Sequence, residues 1–215
     1  MTRPVVERAS AASETKRTRL RAAASAVFAV ALVAGLAACT SDPLADQYRE
    51  GDNKGFIAAS GVRYVEIPED ERTEPIAFEG VLDTGGTVTD ADFAGDVVVV
   101  NFWYASCAPC RVEAPELDEA HAALEGEAVS FLGVNLYDGA EASRSFAETY
   151  GIRYPSALAT EDGSIKLAFA GQTPLNAVPS TLVLDTQGRV AVRIIGQLED
   201  ASILETLVRE TLEES

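Results

Sequence analysis

Two apolar runs stand out along the chain, and they differ in kind. The first, Ala22 to Ala38, reads AAASAVFAVALVAGLAA with no charge. The second, Val97 to Phe102, reads VVVVNF. It is apolar on both faces of a period-2 ladder apart from Asn101, which predicts a strand covered on both sides. Ala108 to Leu124 follows as a helix. Pro109 sits near its first turn, where proline is tolerated, and Pro115 lies inside it, where proline should kink it. Val129 to Leu136 predicts a second covered strand, and Ala140 to Tyr150 a helix closed by Gly151. Ile165 to Phe169 predicts a shorter helix. Thr181 to Leu184 and Val190 to Ile195 predict strands joined by the turn Asp185-Thr186-Gln187-Gly188. Asp200 to Leu212 predicts a final amphipathic helix. Upstream, Ile76 to Leu82 and Thr87 to Thr89 flank a Gly85-Gly86 turn, and Thr89 caps one helical turn through Phe93. This order predicts an α/β domain over 74–215, with helices on both faces of a mixed central sheet and an amino-terminal β extension.

The first run belongs to a different part of the chain. A basic cluster, Lys16-Arg17-Thr18-Arg19-Leu20-Arg21, precedes it, and small residues end it. Basic, apolar and small segments in that order make a secretory signal, here 1–38. The run is also nearly long enough to be an uncleaved membrane helix, which needs ~20 residues. Leu36-Ala37-Ala38-Cys39 resembles the lipobox of bacterial lipoproteins. That resemblance implies cleavage before Cys39 and lipid on its thiol. Residues 39–73 are then expected to be a polar, turn-rich, lipid-anchored flexible linker, with one short strand within Gly61 to Ile67. Lipoprotein, membrane-helix and soluble-secretion readings all place the domain outside the cytoplasm.

The formal charge of −17 sharpens the picture once the leader is set aside. Without the first 38 residues the chain keeps eleven basic against thirty-two acidic residues, a formal −21. Phosphate binding needs basic patches, so nucleic acid is excluded as a partner; the acidity reads as solubility.

The chemistry lies at the end of the second run. Val97 to Val100 lead through Asn101-Phe102-Trp103-Tyr104-Ala105-Ser106 to Cys107-Ala108-Pro109-Cys110. Two cysteines thus arrive at a helix start, where free N–H groups and the helix dipole favour a thiolate. The spacing lets Cys110 attack a mixed disulfide formed on Cys107. Cys107, first in order and ahead of the helix proper, is expected to be the more exposed sulfur and the attacking one. A zinc site would need a second ligand pair; there is none, and the single histidine, His121, is expected on the surface of the helix. No metal or other cofactor is expected. A structural disulfide fits the same spacing less well than a redox dithiol does.

The Val-Val-Asn-Phe-Trp-x-x-x-Cys-x-Pro-Cys pattern at 99–110 and Val178-Pro179-Ser180-Thr181 resemble the TlpA/ResA-like branch of the thioredoxin superfamily. The resemblance covers about Pro75 to Leu212 and implies a thioredoxin-like fold, with Asp138 to Thr173 as a central insertion. It implies a cis Pro179 facing the dithiol. Glu113 and Pro115 stand where members often have an acid and a proline. Asn101 replaces the buried aspartate of thioredoxin proper and cannot titrate, which makes Glu113 the nearest acid for proton movement; the alternative for Glu113 is a solvated helix acid. Trp103 and Pro109 are expected to support the site. Ser106 departs from the commoner tryptophan or threonine.

The resemblance implies a membrane-tethered, extracytoplasmic thiol–disulfide oxidoreductase. Members often reduce exported proteins, including apocytochrome c before haem attachment, with a membrane thiol–disulfide protein as electron donor. An oxidant or isomerase is the alternative within the class. A substrate-binding lipoprotein with a structural disulfide is the alternative outside it.

Overall fold

The computed structural model describes residues 56–57, 61–174 and 176–214. The expected signal segment, Cys39 and most of the expected linker lie outside the described residues. The elements are β1 (Phe56–Ile57), β2 (Arg63–Glu66), β3 (Glu79–Val81), β4 (Thr87–Thr89), β5 (Val97–Trp103), α1 (Ala108–Ala123), β6 (Val129–Asn135), α2 (Ala140–Tyr150), β7 (Ser156–Leu158), α3 (Ser164–Phe169), β8 (Ser180–Leu184), β9 (Val190–Ile195) and α4 (Ala201–Glu213). Seven strands form one mixed sheet in the order β1-β2-β9-β8-β5-β6-β7. β5 pairs with β6 in parallel and with β8 antiparallel, so it is central, as its valine run requires. β3 and β4 form a separate hairpin turned at Gly85 and Gly86. Both glycines have φ near +90°, a region closed to most side chains.

The period of two along β5 divides the interior. Val97 and Val99 face the layer that contains Leu117 of α1, Leu124 at its C-terminal cap, and Leu204 and Val208 of α4. Val98, Val100 and Phe102 face Phe78, Ile165 and Phe169, from the hairpin side and α3. Asn101 therefore falls on the α1/α4 side. This is the thioredoxin-like α/β arrangement, with helices on both faces of the sheet.

Two expectations are corrected. The segment 61–73 is not linker: β2 pairs with β9, and Val62 and Tyr64 are buried in the core at 5% and 1% exposure. Arg72, beyond it, is ion-paired to the buried Asp185 at 3.1 Å. The polar, turn-rich composition concealed these anchors. Second, Ser156–Leu158 extends the sheet in parallel beyond β6. Three residues after Pro155 carry too little periodicity to announce a strand. α1 runs on past Pro115, which lies inside it.

Candidate active site

β5 ends at Trp103, and the chain turns. The Cys107 N–H donates to Tyr104 O at 3.1 Å. Two side chains clamp the turn at Ala105: Asp138 accepts its N–H at 2.5 Å, and Arg111 Nε donates to its carbonyl at 2.8 Å. Asp138 is held in turn by Asn135, whose Nδ2 donates to it at 3.0 Å. Asn135 Oδ1 accepts the N–H groups of Tyr137 and Asp138 at 3.1 and 2.8 Å. The β6–α2 turn and the loop before the cysteines are thus one hydrogen-bonded unit.

Cys107 is the N-cap of α1, and its Sγ accepts the Cys110 N–H at 3.2 Å. A sulfur at this place takes the stabilisation that an N-cap oxygen usually takes, and it meets the positive end of the helix. Cys107 and Cys110 are joined as a disulfide. Pro109 lies in the first turn, exposed. The expected difference in exposure is absent: the cysteines are 3% and 2% exposed. Their distinction lies in the cap instead, because only the Cys107 sulfur receives the helix-start N–H.

Glu113 is not solvated. It is 1% exposed, three residues beyond Cys110 and on the same helix face. Its Oε1 accepts the Asn101 Nδ2–H at 2.9 Å, and its Oε2 accepts the Leu198 N–H at 2.9 Å. The second Asn101 Nδ2–H goes to Thr181 Oγ1 at 3.1 Å. Burial pushes the Glu113 carboxyl up to about 8, against the opposing effect of the bonds from Leu198 and Asn101. The sequence signal was present. Cys110, Ala114, Leu117, Ala120 and Leu124 form an apolar stripe at helical spacing, and Glu113 stands on it.

Trp103 is buried and packs on Phe146 of α2, with ring centroids 4.2 Å apart. Its Nε1–H donates to Ser156 Oγ at 3.2 Å. Asp83, in the β3–β4 turn, accepts from Ser143 Oγ at 2.6 Å and from the Ser156 N–H at 3.3 Å. Hairpin, α2 and β7 therefore meet behind the indole, a convergence the sequence reading missed. A cavity of about 10 Å³, the size of one water, lies between Trp103, Cys110, Asn101 and Tyr154.

The Val178–Pro179 peptide bond is cis. Val178 packs against the cluster that contains both cysteines, and Ser180, which follows Pro179, pairs with Phe102 of β5. His121 is half-buried, not a plain surface residue: its ring packs edge-on against Phe131 and Tyr154 at 5.0 and 5.5 Å. Burial, with Arg153 nearby, lowers its pKa. Among the described residues no group of three His, Cys, Asp or Glu side chains is placed to hold a metal.

Comparison with known proteins agrees with this geometry. Residues 73–193, more than half of the chain, match the family model described as AhpC/TSA family. The thiol:disulfide interchange protein HelX of Rhodobacter capsulatus is 33% identical over 130 residues, 60% of this chain and 66% of that protein. The thiol-disulfide oxidoreductase ResA of Bacillus subtilis is 26% identical over 122 residues, 56% of this chain and 65% of that protein. The matched region thus spans just under two thirds of these relatives' length. A DsbF homologue from Corynebacterium diphtheriae superposes with a TM-score of 0.59 at 29% identity, over 72% of this chain and 97% of that one. The chain belongs to the AhpC/TSA family, has the thioredoxin-like fold, and is similar to the ResA proteins.

Proposed function

We propose that the protein is an extracytoplasmic thiol–disulfide oxidoreductase. Its clients are exported proteins whose disulfides it reduces, among them apocytochrome c before haem attachment. Lipid on Cys39 tethers it to the outer face of the cell membrane, and a membrane thiol–disulfide protein returns electrons to it. The observation that carries the reading is the Cys107–Cys110 pair capping α1, with a buried acid one helical turn beyond. The basic-apolar-small leader ending at Cys39 supports the location, as does a secreted thiol-disulfide isomerase from Corynebacterium glutamicum, 25% identical with a TM-score of 0.60.

In the reductive direction Cys107 attacks one client sulfur and the other client sulfur leaves. Cys110 then attacks Cys107 Sγ, closes the internal disulfide and releases the client as a dithiol. Cys110 must lose a proton to do so, and the carboxylate form of Glu113 takes it. At about 8, the Glu113 carboxyl is raised toward the range in which thiols titrate, which suits it to exchange a proton in either direction. The proton passes on to the departing client sulfur; when the dithiol is regenerated, Glu113 carries a proton back to the Cys110 sulfur. Asn101 holds the carboxyl without titrating itself. Insulin reduction by the full chain, followed as turbidity with dithiothreitol as donor, tests the reading. The protein is expected to accelerate precipitation and the Cys107→Ser variant to lose the acceleration. Equal rates for both would leave the pair as a structural clamp.

A further inference from the structure

The turn that carries Asp138 also thrusts Tyr137 outward. Its side chain is 53% exposed, yet it is not loose. Its N–H is bonded to Asn135, its ring meets Tyr104 edge-on at 5.2 Å, and the Lys166 ammonium of α3 sits 5.2 Å from the ring centroid. Tyr104 in turn packs against the cluster that contains both cysteines. Leu167, next to Lys166, is 77% exposed. A strip therefore runs from the dithiol through Tyr104 and Tyr137 to Lys166. Leaving these apolar groups in water does nothing for folding, and rigid exposed aromatics are what binding surfaces use.

Charge selects the occupant. Lys166 is the one lysine among the described residues, on a chain of net charge −17. No carboxylate lies within ion-pair distance of it among the described residues, whereas Arg72, Arg153, Arg189 and Arg209 are all paired. The ammonium stays available to a partner while it stacks on Tyr137.

Resting on the oxidoreductase reading, we propose that Tyr104, Tyr137 and Lys166 form a client-docking strip. It accepts an extended polypeptide with a large apolar or aromatic side chain next to its cysteine and a carboxylate a few residues away. The apolar side chain covers Tyr137, the carboxylate meets Lys166, and the client disulfide is laid against Cys107. Reduction passes two electrons and two protons from the Cys107/Cys110 dithiol to the peptide disulfide, giving two peptide thiols and the Cys107–Cys110 disulfide.

The test uses the full chain in its reduced form with two disulfide-linked peptides. Both carry Phe beside the cysteine; one has Glu three residues further on, the other Lys. Each kcat/KM is divided by the same protein's rate with a small aromatic disulfide, which removes any general damage to the dithiol. The wild type is expected to favour the Glu peptide by about two- to fivefold, the range of an exposed ion pair. Lys166→Glu is expected to reverse that order, and Tyr137→Ser to lower both normalised values about tenfold, chiefly through KM. An order that Lys166→Glu leaves unchanged overturns the proposal. So does a Tyr137→Ser variant that alters only self-association in sedimentation, which would make the strip an interface between copies. A wild type that reduces the small disulfide but neither peptide also overturns it while leaving the dithiol chemistry standing. A wild type inert toward every disulfide overturns the oxidoreductase reading itself.

Discussion

Asn101 Nδ2 donates to Glu113 Oε1 at 2.9 Å in the interior of the protein, one strand and one helix joined by a single bond. The acid is pushed up to about 8 by burial, while an unfolded glutamate titrates near its ordinary ~4.3. As pH rises between those values the unfolded chain releases this proton first, so the stability that neutral Glu113 allows is present below the unfolded pKa. It is lost progressively up to about pH 8, by at most about 1.4 kcal/mol per pH unit. Glu113→Gln removes the titration, and Asn101 can reverse its amide to accept from the new one. In urea denaturation the variant is expected to gain on the wild type from pH 5 to pH 8. The inflection near pH 8 in the rate of disulfide closure is expected to disappear with it.

Gly133 lies on β6 opposite Asn101. A Cβ there would come within 2.2 Å of Ser156 Oγ and 2.9 Å of Trp103 Nε1, the pair whose hydrogen bond fixes the indole. Gly133→Ala is expected to cost about 1–3 kcal/mol, as overpacking does. Urea denaturation gives the stability, and tryptophan fluorescence, from the single Trp103, reports the indole's displacement directly.

Tyr64 tests the correction to the domain boundary. It is 1% exposed and packs with the α4 layer. Tyr64→Ala is expected to cost about 3–5 kcal/mol, the range for a buried aromatic. A chain beginning at residue 74 is expected to melt well below the full chain, because it loses β2 and uncovers the edge of β9. Equal melting temperatures would return 61–73 to a linker.

These corrections share a physical cause. β5, α1, β9 and α2 were legible because burial on one or two faces writes a long periodic signal into the residues themselves. The strand around Tyr64 was legible, but its burial and the Arg72–Asp185 pair were not, because those contacts join distant parts of the chain. Glu113 was half legible: its place on an apolar stripe was visible, but the donors that make its burial tolerable, Asn101 and the Leu198 N–H, are set by tertiary packing. Tyr137 gave no signal, since an exposed aromatic in a loop reads as unremarkable until Tyr104 and Lys166 are seen around it.

The tether is tested at Cys39. Cys39→Ser is expected to move the protein from the membrane fraction to the soluble one, or to leave the leader uncleaved and the chain longer on gels. A variant that fractionates and migrates like the parent would remove the lipid anchor from the account.

The order of attack is tested most directly by trapping. Cys110→Ser leaves the Cys107 thiol at the helix cap and takes away the sulfur that resolves it. Expressed in the native host, this variant is expected to accumulate mixed disulfides that are visible on non-reducing gels and vanish with reductant. Cys107→Ser is expected to accumulate none. Adducts that contain a Cys-x-x-Cys-His segment would place apocytochrome c among the clients. Adducts on Cys107→Ser alone would invert the two roles. Two variants that trap nothing and keep full activity would contradict the claim that this dithiol exchanges disulfides at all.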